Sequence, residues 1–369
     1  MVDAELVERA KSLIDDLARA PRFAGSEEES RARAQCRREL ERAGFTCEEL
    51  PFAYSQWLAR WGTPLVSFAL GMIVFGMGGL ARSGDSTAGA VTVWAMLLVL
   101  LANHRALRRG WILSFPWSQT IAVNLEARRG NPLVWLVAHL DSKSQTIPML
   151  LRIAGTVSLY VAALLVALGG TAVHIWGPAL APVLTLGQAL AVVGALTVGL
   201  CFVRNRSPGA VDNASGVAAV LLAAQSPDAP KSLGVLITSA EELGLAGALA
   251  WSKSKRAPEQ LTILNCDTVD ESGAYRCMYT EQPMRVTSAA GNQTARIGIP
   301  LKVGRLIPGI MADSMVFADR WRWSAVTLSR GTLGTLARIH TRRDNSSRLT
   351  GEGAAQASVL LSAMARELS

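Results

Sequence analysis

The stretch "LVAHLDSKSQTIPMLLRIAGTVSLYVAALLVALGG", Leu136–Gly170, joins two kinds of chain that want different solvents. It begins as a short apolar, β-branched run ending in a histidine and, two residues on, an aspartate. It then passes into a segment that suits hydrocarbon. From Ile153 to Val203, fifty-one residues go by without Asp, Glu, Lys or Arg, and a bilayer core takes about 20 apolar residues per helix. Gly169, Gly170, Pro178, Pro182 and Gly187 punctuate the run as turn signals. The run therefore divides into two spans, near 152–172 and 182–203.

Towards the N-terminus, Trp61–Ala81 and Ser86–Asn103 are also free of charge, which predicts two further spans near 63–82 and 86–104. The alternative, helices buried in a soluble core, fits poorly with charge-free runs of about 20 residues. Four transmembrane helices in two hairpins are expected. Ten Arg or Lys precede the first span, Arg105, Arg108 and Arg109 follow the second, and Arg204 and Arg206 follow the fourth. The tips carry only Arg82 and Asp85 in one hairpin and no formal charge in the other. The positive-inside rule then puts both termini and the soluble parts on the cytoplasmic side of the cell (inner) membrane. Trp57, Trp61, Trp111, Trp117 and Trp176 fall near span ends, as an interfacial belt would have them. Met1–Ser55 is charged and has no apolar signal-peptide core, so a soluble segment is expected ahead of the first span.

Half of the 369 residues are apolar and the net charge is +8. Arginines beside anionic headgroups account for that charge, so the bilayer is the expected partner and nucleic acid is not. The five cysteines, Cys36, Cys47, Cys201, Cys266 and Cys277, are odd in number and show no CxxC spacing, which predicts free thiols in a cytoplasm-facing domain.

With the hairpins set aside, the remaining chain is long enough for one large domain. The division expected is 1–60, the N-terminal helical part; 61–105, hairpin 1; 106–148, strands and first motif; 149–204, hairpin 2; and 205–369, the remainder. Apolar spacing predicts helices over 4–20 and 27–44, the second opened by "GSEEES". "TIAVNLEA" and "PLVWLVAHL" read as neighbouring strands with a turn at Arg129–Asn131. Helix, strand, helix and strand follow in "NASGVAAVLLAAQ", "LGVLITS", "EELGLAGALAWSKS" and "LTILNCDT", and a closing helix ends the chain. Such alternation predicts an α/β fold: a mixed, mostly parallel sheet with helices on both faces, interrupted by the two hairpins.

Four segments at expected strand ends, and a fifth before the last helix, carry the polar chemistry. They are "AHLDS" (His139, Asp141), "GAVDNASG" (Asp212), "SAEELGLAG" (Glu241, Glu242), "NCDTVD" (Asp267) and "IHTRRDN" (His340, Asp344). Sites in open parallel sheets form beyond the carboxyl ends of strands, so all five are expected on one rim. Each alone has a plain structural reading: Asp212 as a helix cap, the paired glutamates as partners of a helix dipole, His139 as a hydrogen-bonded core residue. Together, two histidines and three carboxylates form the ligand set for a pair of divalent metals with one carboxylate shared. A sixth group must take a proton from water. Of two consecutive glutamates, one can ligate while the other stays free as general base. Asp141 lies two residues beyond His139 and can accept the imidazole's other N–H.

In the order of these motifs the chain resembles the co-catalytic di-zinc exopeptidases, a family that includes bacterial leucyl aminopeptidases, glutamate carboxypeptidase and glutaminyl cyclases. "RFAGSEEESRARAQCRRELERAGF" is similar to the family's N-terminal helix region. The resemblance implies His139 and Asp267 on one zinc, Glu242 and His340 on the other, Asp212 bridging and Glu241 as general base. It implies Asp344 as a support residue, and Asp313 of "MADSMVF" as another. Manganese or cobalt would also suit a site of mixed nitrogen and carboxylate ligands. The chain departs from the family by the seventy residues between Asp141 and Asp212, where the family has a short loop. Asp141 lies about eleven residues before the third span and Asp212 about nine after the fourth, so an extended chain keeps both within roughly 40 Å of the bilayer.

The expected function is thus a membrane-anchored metalloexopeptidase, an aminopeptidase acting on a peptide presented at the membrane. The rivals are a metal-dependent amidase acting on an amide-containing lipid, and an inactive receptor or scaffold on a peptidase fold; no ligand or base position is missing, which disfavours the last.

Overall fold

The computed structural model describes residues 2–369 apart from 84, 86, 255–259 and 308, and leaves aside the side chains of 100, 103, 104, 107, 108, 320 and 321. Ser86, where the expected second span begins, and the Arg108 side chain therefore lie outside the described residues. The chain forms two units, one of residues 1–55, 112–144 and 205–369, the other of 56–111 and 145–204.

The first unit is built on an eight-stranded sheet. Its strands are β1 (Thr46–Ser55), β2 (Gln119–Arg129), β3 (Val134–His139), β4 (Leu233–Thr238), β5 (Thr262–Val269), β6 (Tyr275–Tyr279), β7 (Leu301–Arg305) and β8 (Ser324–Arg330), in the spatial order β1-β2-β4-β3-β5-β8-β6-β7. β4, β3, β5 and β8 run parallel at the centre, and antiparallel pairings join β1 to β2, β2 to β4 and β8 to β6. Every residue of β3 and β4 is buried, as expected of strands covered on both faces.

The two-residue period sorts the side chains between those faces. Leu136 and Ala138 of β3, Val235 and Ile237 of β4, and Leu264 and Cys266 of β5 enter one core with helices Ala4–Leu17, Ser215–Gln225 and Glu352–Leu368. Trp135 points the other way and meets Trp251 edge-on, 5.0 Å between ring centroids, in an aromatic group with Phe317 and Trp323. Trp251 is 1% exposed, and its truncation to alanine would cost about 3–5 kcal/mol.

The expected α/β class stands. β2 and β3 are not neighbours, however: β4 lies between them, antiparallel to β2 and parallel to β3. The turn at Gly130 (φ 69°) is local, whereas the pairing is decided by β4, about a hundred residues later in the chain. β1, unassigned from the sequence, pairs with β2 along its whole length.

The second unit is helical: Gln56–Arg82, Ala88–Arg109, Met149–Trp176 and Ala181–Gly199. Among the described residues, three segments are long and apolar enough to cross a membrane, Gln56–Arg82, Met149–Trp176 and Pro178–Gly199. Of the second expected span, near 86–104, the apolar part found among the described residues is Ala88–Val99, short of a crossing. Small residues bring these helices together. A Cβ on Gly71 would stand 2.4 Å from that of Ala195, and one on Gly194 would stand 2.7 Å from the Gly155 carbonyl oxygen, the close approach that helices in lipid rely on. Met72, Trp94, Leu98, Leu168 and Trp176 are more than 60% exposed, an apolar exterior that water does not favour.

Candidate metal centre

The carboxyl ends of the parallel strands carry the predicted residues. His139 closes β3, Glu241 and Glu242 follow β4, and Asp267 lies near the end of β5. Asp212 sits in the turn Ala210–Ala214, entered through Gly209 in the left-handed region, and its peptide to Asn213 is cis. His340 follows the short helix Leu333–Arg338 and itself has φ 61°. Ala240 (φ 55°), beside Glu241, and Thr268 (φ 60°), beside Asp267, share that unusual conformation. Non-glycine residues there cost roughly 1–3 kcal/mol each and persist where surrounding structure over-determines them.

Two of the plain readings, for Asp212 and for the paired glutamates, fail on geometry. The helix after Asp212, Ser215–Gln225, has no side-chain cap. The helix after the paired glutamates starts at Ala246, beyond the reach of a first-turn dipole contact.

What the structure brings together is two sets of three. His139 Nε2 lies 3.2 Å from Asp212 Oδ1 and 3.5 Å from Asp267 Oδ1. His340 Nε2 lies 3.1 Å from Asp212 Oδ2 and 3.0 Å from Glu242 Oε1. The sets share Asp212, which offers one carboxyl oxygen to each. Ligands at about 2.0–2.1 Å from a tetrahedral ion stand about 3.3 Å apart, so both sets have the spacing for a divalent cation. Two of the atoms concerned, His139 Nε2 and Glu242 Oε1, are buried and, close as they lie to these neighbours, make no well-aligned hydrogen bond, a costly state unless something binds them. The residues fit a metal.

The electrostatics agree. Burial pushes the Glu241 pKa well above its ordinary value, with Asp267, Glu242 and Asp313 adding to the rise against an opposing pull from His139. Burial also works against ionised Asp212, yet His139 and His340 override it and hold that carboxyl far below the usual range. Glu242 is likewise held low against burial by the His340 and Lys143 cations. Burial lifts Asp313 and Asp344 to about 7. So many carboxyl groups in one enclosure form a trap for positive charge.

Behind these residues stands a layer of hydrogen bonds. Asp141 Oδ1 accepts from the Glu241 amide at 3.0 Å, and its Oδ2 from the Glu242 amide at 3.2 Å. The His139 Nδ1 instead meets the Asp141 main-chain carbonyl at 3.1 Å, with the carboxylate 3.7 Å away. Asp344 accepts from the amides of Val211 (2.7 Å) and Asp212 (3.2 Å). Asp313 accepts from the Thr238 hydroxyl at 2.5 Å, while its Oδ1 is buried without a partner.

Sequence reasoning missed three participants. Lys143 Nζ is 2.8 Å from Glu242 Oε2 and donates to the Glu242 carbonyl at 2.8 Å. Asn213 donates to the Cys266 carbonyl and accepts from the Thr268 amide, bracketing Asp267. Arg22 is a buried arginine. Only Lys143 left a signal, its place two residues after Asp141.

A family model described as peptidase family M28 matches residues 120–365. No curated protein matches in sequence. Among solved structures, the chain is similar to an aminopeptidase from Aneurinibacillus sp. strain AM-1, with 15% identity, TM-score 0.56, and 97% of this chain and 92% of that one covered. It is similar to BSAP, a zinc aminopeptidase from Bacillus subtilis, with 13% identity, TM-score 0.58, and coverages of 98% and 95%. It is also similar to the glutaminyl cyclase of Porphyromonas gingivalis, with 12% identity, TM-score 0.57, and coverages of 99% and 100%. At such identities the likeness is one of fold, and the family match carries the assignment: the chain belongs to peptidase family M28.

Proposed function

We propose that this protein is a membrane-anchored two-metal exopeptidase, an aminopeptidase, whose substrate is a peptide presented at the bilayer surface. The observation that carries the reading is Asp212, whose two carboxyl oxygens face two separate histidine–carboxylate sets. His139, Asp212 and Asp267 would hold one ion, and Asp212, Glu242 and His340 the other. Zinc suits these ligands, with manganese or cobalt as substitutes. A bound pair supplies polarisation of the scissile carbonyl and an acidified water.

The chain's own residues do the rest. Glu241 is left out of both ligand sets and is buried. Its carboxylate takes the proton from the attacking water and returns it to the departing amine. Asp141 keeps Glu241 and its neighbour oriented through their amides. Asp344 steadies the bridging aspartate from behind. The segments 61–105 and 149–204 would lie in the membrane, with the catalytic unit cytoplasmic by the positive-inside argument. Support for anchoring comes from the three long apolar helices and the apolar exterior around them.

The test is hydrolysis of aminoacyl amides, short peptides and N-acylated lipids by the detergent-purified chain, with and without chelator, beside Glu241→Ala. Chelator-sensitive release that needs a free α-amine and falls at least about 100-fold in the variant, while metal stays bound, supports the proposal. Turnover of lipid amides alone would make it an amidase, and absence of bound metal would leave a scaffold.

A further inference from the structure

Between His139 and Asp212 the chain departs at Ser144 and returns at Asn205. His139 is therefore separated in sequence from the other four proposed ligands, Asp212, Glu242, Asp267 and His340, by an entire helical insertion. No short loop holds them at a fixed spacing.

Three side chains among the described residues span the gap, Ser142, Ser144 and, with the largest number of bonds, Arg22. Arg22, 1% exposed, follows helix Ala4–Leu17 and uses four of its five guanidinium hydrogens on main-chain carbonyls. Nε donates to Leu140 at 2.8 Å, Nη1 to Leu17 at 2.7 Å and Pro208 at 2.6 Å, and Nη2 to Gly209 at 2.9 Å. Leu140 is next to His139, and Gly209 opens the turn that carries Asp212. The Arg22 main chain joins in. Its amide donates to Ser142 Oγ and its carbonyl accepts from the Ser142 amide, both at 2.9 Å, while Ser142 Oγ donates to the Ser207 carbonyl at 2.9 Å. The fit leaves no slack: a Cβ on Gly209 would lie 2.5 Å from the Cβ of Ser142 and 3.3 Å from Arg22 Nη2.

We propose that Arg22 is a positioning residue that holds the His139 and Asp212 segments in register across the insertion, and so sets how tightly the centre binds metal. A buried guanidinium is unfavourable unless its hydrogens are satisfied; here three of the four bonded ones go to the two stretches of chain that must stay together and the fourth to Leu17. A lysine would bring the charge without the fork, reaching fewer of the four carbonyls. The proposal rests on the metal-centre reading above.

The experiment measures zinc affinity of the full detergent-purified chain by competition with a chromophoric chelator, and the visible spectrum of the cobalt-loaded protein, without reference to turnover. Arg22→Ala should bind zinc at least about tenfold more weakly, the scale of other supporting-layer changes, with an altered cobalt spectrum. Methylguanidinium added to Arg22→Ala should restore affinity, and methylammonium should not. Arg22→Lys should fall between the two. Unchanged zinc affinity and cobalt spectrum in Arg22→Ala overturn the proposal, as does lost affinity that methylguanidinium fails to restore. If Arg22→Ala does not fold, Arg22→Lys decides: weaker zinc binding at unchanged melting temperature supports the role, and wild-type affinity refutes it. A wild-type chain that binds no zinc would instead bring down the metal-centre reading.

Discussion

Asp141 holds Glu241 by its backbone: Oδ1 accepts the Glu241 amide at 3.0 Å while Oδ2 takes that of Glu242. A single carboxylate thereby fixes the peptide between the proposed general base and a proposed ligand. Asparagine keeps the shape but offers one acceptor oxygen and turns an amide group towards the other N–H. Asp141→Asn should lower kcat by roughly 10–100-fold with bound metal nearly unchanged. Metal analysis beside steady-state kinetics checks this, and a loss of metal equal to the loss of activity would mean that Asp141 acts on His139 instead.

Asp344 plays the matching part for the proposed bridge, Asp212, accepting the amides of Val211 and Asp212. Asp344→Asn should weaken metal binding about 10–100-fold, because the turn bearing the proposed shared ligand loses one anchor. Here affinity should fall along with rate. Zinc competition would expose the contrast with Asp141→Asn, and equal affinity in wild type and variant would refute it.

The contrast between these aspartates bears on what the sequence could reveal. The residue types and their order were legible because chemistry restricts what could hold a metal: His139, Asp212, Glu242, Asp267 and His340 all fall in the two sets of three that could hold an ion. The alternating helices and strands were legible because burial imposes period. The place of β4 between β2 and β3 was not, since strand order is a long-range choice that a local turn does not encode. Nor was β1, where Pro51 and scattered burial blur the two-residue pattern. Asp141 was expected to support the imidazole, but its carboxylate serves two amides and stands 3.7 Å from His139 Nδ1. Arg22 was invisible because every partner is a main-chain carbonyl, and any sequence can supply carbonyls.

The sidedness proposal makes its own prediction. In a bacterial host, alkaline phosphatase inserted at Gly177, at the tip between the third and fourth expected spans, should be active, and a green fluorescent protein fused after Ser369 should fluoresce. The basic residues flanking the spans favour that orientation. Inactive phosphatase at Gly177 together with a dark green fluorescent protein after Ser369 would move the catalytic unit to the other face.

Glu29 links pH to stability. It is buried, accepts from the Gly25 amide at 2.6 Å and from the Ser239 hydroxyl, and burial, reinforced by Asp141, pushes its pKa up to about 8. Unfolded, the same group would titrate near 4.5. The folded chain therefore holds a proton that the unfolded chain releases between these values. The resulting stability is fully present below the lower value and is lost as pH rises through the upper one. Glu29→Gln has no proton to lose. With chelator present to remove metal effects, its melting temperature minus that of wild type should grow by at least about 3 °C between pH 6 and 9, the shift that roughly 1 kcal/mol produces in a domain of this size. Parallel melting curves across that range would show that Glu29 is ionised in the folded chain throughout, with its charge balanced by Arg33, which opposes the rise, and not by a retained proton.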